Sequence, residues 1–384
     1  MDFFTNVVGS YGYDGLALIV LLLLFFGIQV YYYVVVYRRI PRYRINMLPV
    51  RRESEPPVSV VIVTQEDMQF VEERLPMFLT QDYSDYEVVL VYVGSNEDFL
   101  IELSQFELRY PRLRVITIRQ QTRFPISNKQ ALNFGIKASR YEHILFSTSD
   151  TLLTSDRWLR LMARGFTRAD IVLGYCGVEY CGGLGNRLMR TQRLAESMQW
   201  LSWAVRGRAY RGIRNSMGFT KSVYMSVKGF NHLNMNMGED DLFIGSLAAS
   251  NAVCVIMSPR ATVRQKAWGG LSWWLGARRY FGHTFRYYGR SVRNFVEREG
   301  CTRLLFFLTA AAAMAFMPDE IRIAAAVVVL LRYGIVVSAV NAVRRRLGEK
   351  HVMATYFIHD LLGPVTDGIL ALSRRMFKDE TVWR

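Results

Sequence analysis

Leu16 to Val36 is an almost unbroken apolar run in which Gln29 is the one strongly polar residue. A helix needs roughly 20 such residues to cross a bilayer, so the segment predicts a transmembrane span. A cleaved signal peptide fits poorly. The run is too long, its basic flank follows it, and no small-x-small cleavage site is present. Asp2 and Asp14 precede the run, whereas Arg38, Arg39, Arg42, Arg44, Arg51 and Arg52 follow it. Arginines mark the cytoplasmic flank of a span, which sets the N-terminus outside and the following chain inside.

The C-terminal third is an independent check. Leu304 to Met317 is apolar, Pro318, Asp319 and Glu320 interrupt, and Ile323 to Val343 is apolar again before Arg344, Arg345 and Arg346. This predicts a hairpin that leaves and re-enters the cytoplasmic side. Its first arm is short for a span, and Arg332 in the second arm is costly unless it faces protein or water. Tyr356 to Met376 carries His359, Asp360, Pro364 and Asp367, which predicts an interfacial segment.

Apolar residues make up 51 % of the 384 residues, enough for a folded core besides the spans. The formal charge of +15 has two readings. Arginines beside apolar runs hold membrane flanks, or they meet an anionic partner such as a nucleotide diphosphate, lipid phosphate or nucleic acid. No nucleic-acid-binding motif is present, and none is expected as a partner. The four cysteines, Cys176, Cys181, Cys254 and Cys301, have no C-x-x-C spacing, which argues against a zinc site and for a reducing compartment.

Between the apolar ends the pattern changes. Val58 to Val63 is a β-branched run of the kind a buried parallel strand shows. Glu87 to Val93, Leu113 to Ile118 and His143 to Phe146 read as further strands, and Ser127 to Ser139 as an amphipathic helix. Strands alternating with helices predict an α/β fold with a doubly wound sheet. Ligands bind beyond the carboxyl ends of such strands, at the loops after Val63, Val93 and Ser147.

These residues form an ordered series. It opens with Pro57-Val58-Ser59-Val60-Val61-Ile62-Val63 and runs through Gln81-Asp82-Tyr83, Lys129-Gln130-Ala131-Leu132-Asn133-Phe134-Gly135, Asp150 and Trp158-Leu159. Gly212-Ile213-Arg214-Asn215, Gly229-Phe230 and Gly238-Glu239-Asp240-Asp241-Leu242-Phe243 complete it. In this order the chain resembles the bacterial membrane-bound family 2 glycosyltransferases over nearly its whole length. The resemblance implies a GT-A doubly wound mixed sheet and inverting transfer of a sugar from a nucleotide-sugar to a lipid-linked or glycan acceptor. It implies Asp240 as catalytic base, with Asp241 as a neighbour able to substitute. Asp150 would hold Mg²⁺ or Mn²⁺. Glu66, Tyr92, Ser95, Lys129, Arg278 and Arg279 would contact the donor, with Tyr92 stacking on its base and Arg278 and Arg279 clamping phosphates. Trp273 and Trp274 would line the acceptor channel.

Two motifs depart from the family. Val91-Tyr92-Val93-Gly94-Ser95 stands where two acids contact base and ribose, and Thr148-Ser149-Asp150 retains only the second acid of Asp-x-Asp. Weaker nucleotide binding, altered preference or lost activity follows, and a non-catalytic scaffold in an envelope assembly is the rival reading. Plainer roles stand beside the chemical ones. Asp240 or Asp150 would cap a helix or turn, Lys129 would be solvated, Arg278 and Arg279 would meet headgroups, and His283 would be structural. Gly182-Gly183-Leu184-Gly185 lacks the strand and lysine of a phosphate loop. The stretch around Trp200, Trp203 and Tyr210, with Arg206, Arg208 and Arg211, reads as an amphipathic segment at the membrane interface.

The expected plan is an anchor at 1–44, a linker at 45–57, the GT-A domain at 58–265, interfacial helices with the basic motif at 266–300, a hairpin at 301–347 and an interfacial helix at 348–384. The protein is expected in the bacterial inner membrane, in contact with lipids and open to protein partners.

Overall fold

The computed structural model describes residues 2–51, 55–119, 126–232, 238–267, 275, 278 and 282–376. Arg279, Trp273 and Trp274 lie outside them.

Among the described residues, ten strands form two sheets. They are β1 (Val58–Thr64), β2 (Tyr86–Val93), β3 (Leu113–Ile118), β4 (His143–Thr148), β5 (Thr151–Leu153), β6 (Ile171–Gly174), β7 (Cys176–Val178), β8 (Met217–Thr220), β9 (Val253–Ile256) and β10 (Val263–Gln265). The larger sheet has the order β3-β2-β1-β4-β8-β6-β9 and the smaller β5-β10-β7. The Val- and Ile-rich β1 is central because both its faces are covered, and it pairs in parallel with β2 and β4. The antiparallel β8, between β4 and β6, makes the sheet mixed. Its Gly218 is required by close approach: a Cβ there would stand 2.4 Å from the Ile144 carbonyl oxygen.

The longer helices are α1 (Asp2–Val30), α2 (Glu97–Arg109), α3 (Asn128–Ala138), α4 (Trp158–Phe166), α5 (Gly183–Ala204), α6 (Arg290–Phe316), α7 (Asp319–Leu347) and α8 (Met353–Met376). Helix α1 bends at Gly12 (φ +69°) and continues as a wider π-helical turn over Tyr31–Tyr37. Three described stretches are long and apolar enough to cross a membrane: Gly15–Arg42, Arg290–Phe316 and Asp319–Leu347. The first hairpin arm is not short. Helix α6 begins at Arg290, and its 27 residues reach about 40 Å; the charged first turns hid this from an apolar-run reading.

Arg332 faces protein. Its guanidinium donates to both carboxylate oxygens of Asp360 in α8, at 2.5 and 3.0 Å, and to the Gln29 side-chain oxygen at 3.0 Å. A buried charge is tolerable only when paired in this way. Glu349, in the turn between α7 and α8, ties the hairpin to the α/β unit. It accepts from the Tyr175 hydroxyl at 2.9 Å, from Arg190 at 2.7 Å and from Arg264. Trp200 and Arg211 are buried and Trp203 and Tyr210 half-buried, with α5 packed against α8 and the α/β core, whereas Arg206 and Arg208 are exposed.

Candidate functional site

The loops after β1, β2 and β4 meet at one cavity of about 810 Å³. Glu66 and Asp67 follow β1, Gly94 and Ser95 follow β2, Asn128 opens α3, and Ser149 follows β4. Parallel strands bring their carboxyl ends, and hence these loops, to one edge of the sheet. Asp67 is occupied locally. It accepts from the Phe70 backbone N–H at 2.9 Å and pairs with Arg74 at 3.2 Å.

Glu66 and Ser95 are exposed at this edge, and Tyr92 lies beneath it. The Tyr92 ring is fully buried, 4.8 Å from Phe99 between centroids. Its hydroxyl donates to Glu66 at 3.2 Å and accepts from the Asn96 N–H at 3.0 Å. The expected stacking of Tyr92 on a base is corrected accordingly: the ring presents no free face, and its part is to support Glu66.

Asp150 lies just past Ser149. One of its carboxylate oxygens accepts from the Thr148 hydroxyl and from the Asn215 amide at 3.0 Å. The other accepts from the Gln265 amide at 2.8 Å. Arg193 donates to the Gln265 oxygen at 2.9 Å, which turns the amide nitrogen towards Asp150. Among the described residues no group of three His, Cys, Asp or Glu side chains comes together. Each carboxylate oxygen has two lone pairs, so Oδ2 keeps one open direction. The donor set fits a divalent cation that takes a single protein oxygen and completes its shell with phosphate and water, as Mg²⁺ commonly does.

Asp240 and Asp241 divide their roles. Asp241 is buried and satisfied. It accepts from the Leu242 N–H at 2.6 Å, capping the helix Leu242–Leu247, and its other oxygen accepts from Thr284 and from Tyr288 at 2.7 Å. Both of its oxygens accept structural hydrogen bonds, which makes it the more engaged of the two acids. Asp240 is also buried, yet its Oδ1 has no hydrogen-bond partner among the described residues. Burial pushes its carboxyl up to about 6, helped by Glu239 and Asp241 and opposed by the Arg214 charge and backbone. Its carbonyl accepts from the Gly212 N–H at 2.6 Å.

Glu239 links the two halves of the site. It accepts from Asn128 at 3.1 Å and pairs with Arg214 at 3.0 Å. Lys129 is buried beside this cluster. Burial lowers its ammonium from the ordinary value while Glu239 and Asp241 oppose that fall. Arg278 pairs with Asp367 and reaches Thr366 at 3.4 Å. Sequence reasoning missed the parts played by Arg214, Asn215, Gln265, Thr284 and Tyr288. The first two stood in a quoted motif without a role. The others had no signal beyond lying near the end of a strand or in a basic-aromatic segment.

No curated protein matches the chain at a significant level. Many solved structures are similar, two of them as follows. A mannosyltransferase, PcManGT from Pyrobaculum calidifontis in complex with GDP-Man and Mn²⁺, is 16 % identical with a TM-score of 0.58, over 94 % of this chain and 100 % of that one. TarS 1–349 from S. aureus in complex with UDP-GlcNAc is 14 % identical with a TM-score of 0.41, over 83 % and 92 %. The first shares the fold, a GT-A-like mixed α/β sheet; in this chain, long apolar helices flank it. The sequence profile described as "Glycosyltransferase like family 2" matches residues 56–294, which include every strand and the whole Asp240 motif. The chain belongs to this family of sugar-transferring enzymes.

Proposed function

We propose that the protein is a membrane-anchored inverting glycosyltransferase that moves a sugar from a nucleoside-diphosphate sugar to a hydroxyl of a lipid-linked or glycan acceptor. The observation that carries this is Asp240, buried, without a partner on Oδ1 among the described residues and pushed up to about 6. A general base works best with a pKa near the working pH. The acceptor oxygen attacks the anomeric carbon as Asp240 takes its proton. The bond to the diphosphate oxygen breaks, and the nucleoside diphosphate leaves with that electron pair.

Glu66, Ser95 and Asn128 would bind the nucleotide at the strand edge, with Tyr92 holding Glu66 in place. Asp150 would hold Mg²⁺ or Mn²⁺, which when bound neutralises charge on the leaving diphosphate. Lys129 would act through Glu239, while Arg278 and Arg279 would organise the membrane side. With an anchor at 1–44, a GT-A unit at 58–265 and a hairpin at 301–347, this chemistry would take place on the cytoplasmic face of a bacterial inner membrane. The acidic and basic flanks of the spans support that orientation.

The test is sugar transfer by the purified chain in lipid nanodiscs with Mn²⁺ and a panel of nucleotide-sugars. No transfer or donor hydrolysis, together with no binding of UDP or GDP, would overturn it. A second reading, a non-catalytic scaffold, is favoured by the Val91–Ser95 segment, which carries no acid. It fails if Asp240→Asn abolishes product while the protein remains folded.

A further inference from the structure

A second cavity, of about 740 Å³, lies between α5, the segment 282–288, α6 and α8. It reaches the residues that hold the catalytic motif. Tyr288, on its wall, donates to Asp241, and Arg211, also on its wall, immediately precedes the Gly212 that grips the Asp240 carbonyl. On the membrane-helix side, Leu304 of α6 and Pro364 and Gly368 of α8 add apolar lining beside Arg303 and Asp367.

The charges around this cavity are balanced. Arg211 stands 3.7 Å from Glu196, Arg303 is 3.5 Å from Glu299, and Arg278 pairs with Asp367. Arg286 and Glu297 complete the charged lining at the exposed rim. The described lining therefore carries as many carboxylates as guanidinium groups. A lipid phosphate is an acceptor only, and beside any of the three paired arginines it would also meet a carboxylate. A hydroxyl both donates and accepts, so alternating arginines and carboxylates suit a polyol. Tyr37, Phe285 and Tyr356 add rings on which the C–H faces of a sugar can rest.

We infer that this cavity takes the acceptor, and that the acceptor is an uncharged glycosylated lipid whose sugar head lies towards Tyr288 and Arg211 and whose chain lies between α6 and α8. The inference rests on the glycosyltransferase reading above and narrows its acceptor class.

The experiment uses two probes with one chain and different heads, dodecyl β-glucoside and dodecyl phosphate. Each is titrated below its micelle concentration into the full-length protein in phosphatidylcholine nanodiscs, without donor. The glucoside is expected to bind about ten-fold more tightly, and the exposed-rim change Glu297→Arg to shrink that ratio about ten-fold while UDP binding holds. Val296→Trp, which fills the cavity, should weaken the glucoside alone. Equal affinities, preference for the phosphate, or a ratio unmoved by Glu297→Arg would overturn the inference. Because binding is read without donor, failure here is distinct from failure of sugar transfer. Transfer to a phosphate lipid alone would sink this inference and leave the enzyme reading standing.

Discussion

Tyr288 donates its hydroxyl to Asp241 across 47 residues of sequence, at 2.7 Å. The bond fastens the segment leading into α6 to the residue beside Asp240. Tyr288→Phe removes one buried hydrogen bond, expected to cost about 1 kcal/mol of stability. If the bond positions the motif, kcat falls about ten-fold while KM for the donor is unchanged. Steady-state kinetics with varied donor checks this, and parallel changes in kcat and KM would refute it.

Asp240→Asn is expected to lower transfer about 10²- to 10⁴-fold with nucleotide binding retained, as measured by product formation and calorimetric titration.

The raised Asp240 carboxyl sets a pH dependence. The carboxylate needed as base is lost below about 6, so the rate should rise with pH through that value and then level. Stability moves oppositely. Between the ordinary 3.8 and about 6 the native state holds a proton that the unfolded chain has released, so stability falls as pH rises through this window. Asp240→Asn should therefore be more stable than wild type at pH 7.5, by up to about 3 kcal/mol, and equal to it near pH 4. Denaturant melts at the two pH values decide this.

Asp150→Ala should leave metal-free UDP or GDP binding unchanged and abolish any strengthening by Mn²⁺. Titrations with and without Mn²⁺ give the result directly. An undiminished Mn²⁺ effect in the variant would place the cation elsewhere.

Arg332→Leu leaves the buried Asp360 with only Arg303 at 3.7 Å and the Tyr33 hydroxyl at 3.3 Å, and is expected to cost about 3 kcal/mol, whereas Arg332→Leu with Asp360→Leu should cost less. Thermal unfolding in one detergent compares the three proteins.

Much of the fold was legible because it depends on local pattern. The β-branched run at Val58–Val63 and the apolar spans declare themselves within windows of a few to twenty residues. The antiparallel β8 and the three-residue strands did not, because short strands in an α/β chain take their direction from tertiary pairing. At the site, Asp240 and Asp150 stood out by chemical type within ordered motifs. Which of the adjacent acids Asp240 and Asp241 is free was illegible. The answer lies with Thr284 and Tyr288, more than forty positions away. Tyr92 misled because an aromatic at a strand end looks the same in sequence whether it faces solvent or Phe99.

The pairing of Arg332 with Asp360 and Gln29 also bears on biosynthesis. Gln29 emerges early from the ribosome, Arg332 three hundred and three residues later, and Asp360 twenty-eight after that. Until α8 is made, a nascent chain holds an uncompensated charge within its spans, which lipid cannot solvate. Synthesis of α8 is thus the step after which the three apolar helices can settle against one another around a paired charge. A chain stopped before residue 353 would carry that charge permanently, a mark by which membrane proteases could tell an unfinished product from a finished one.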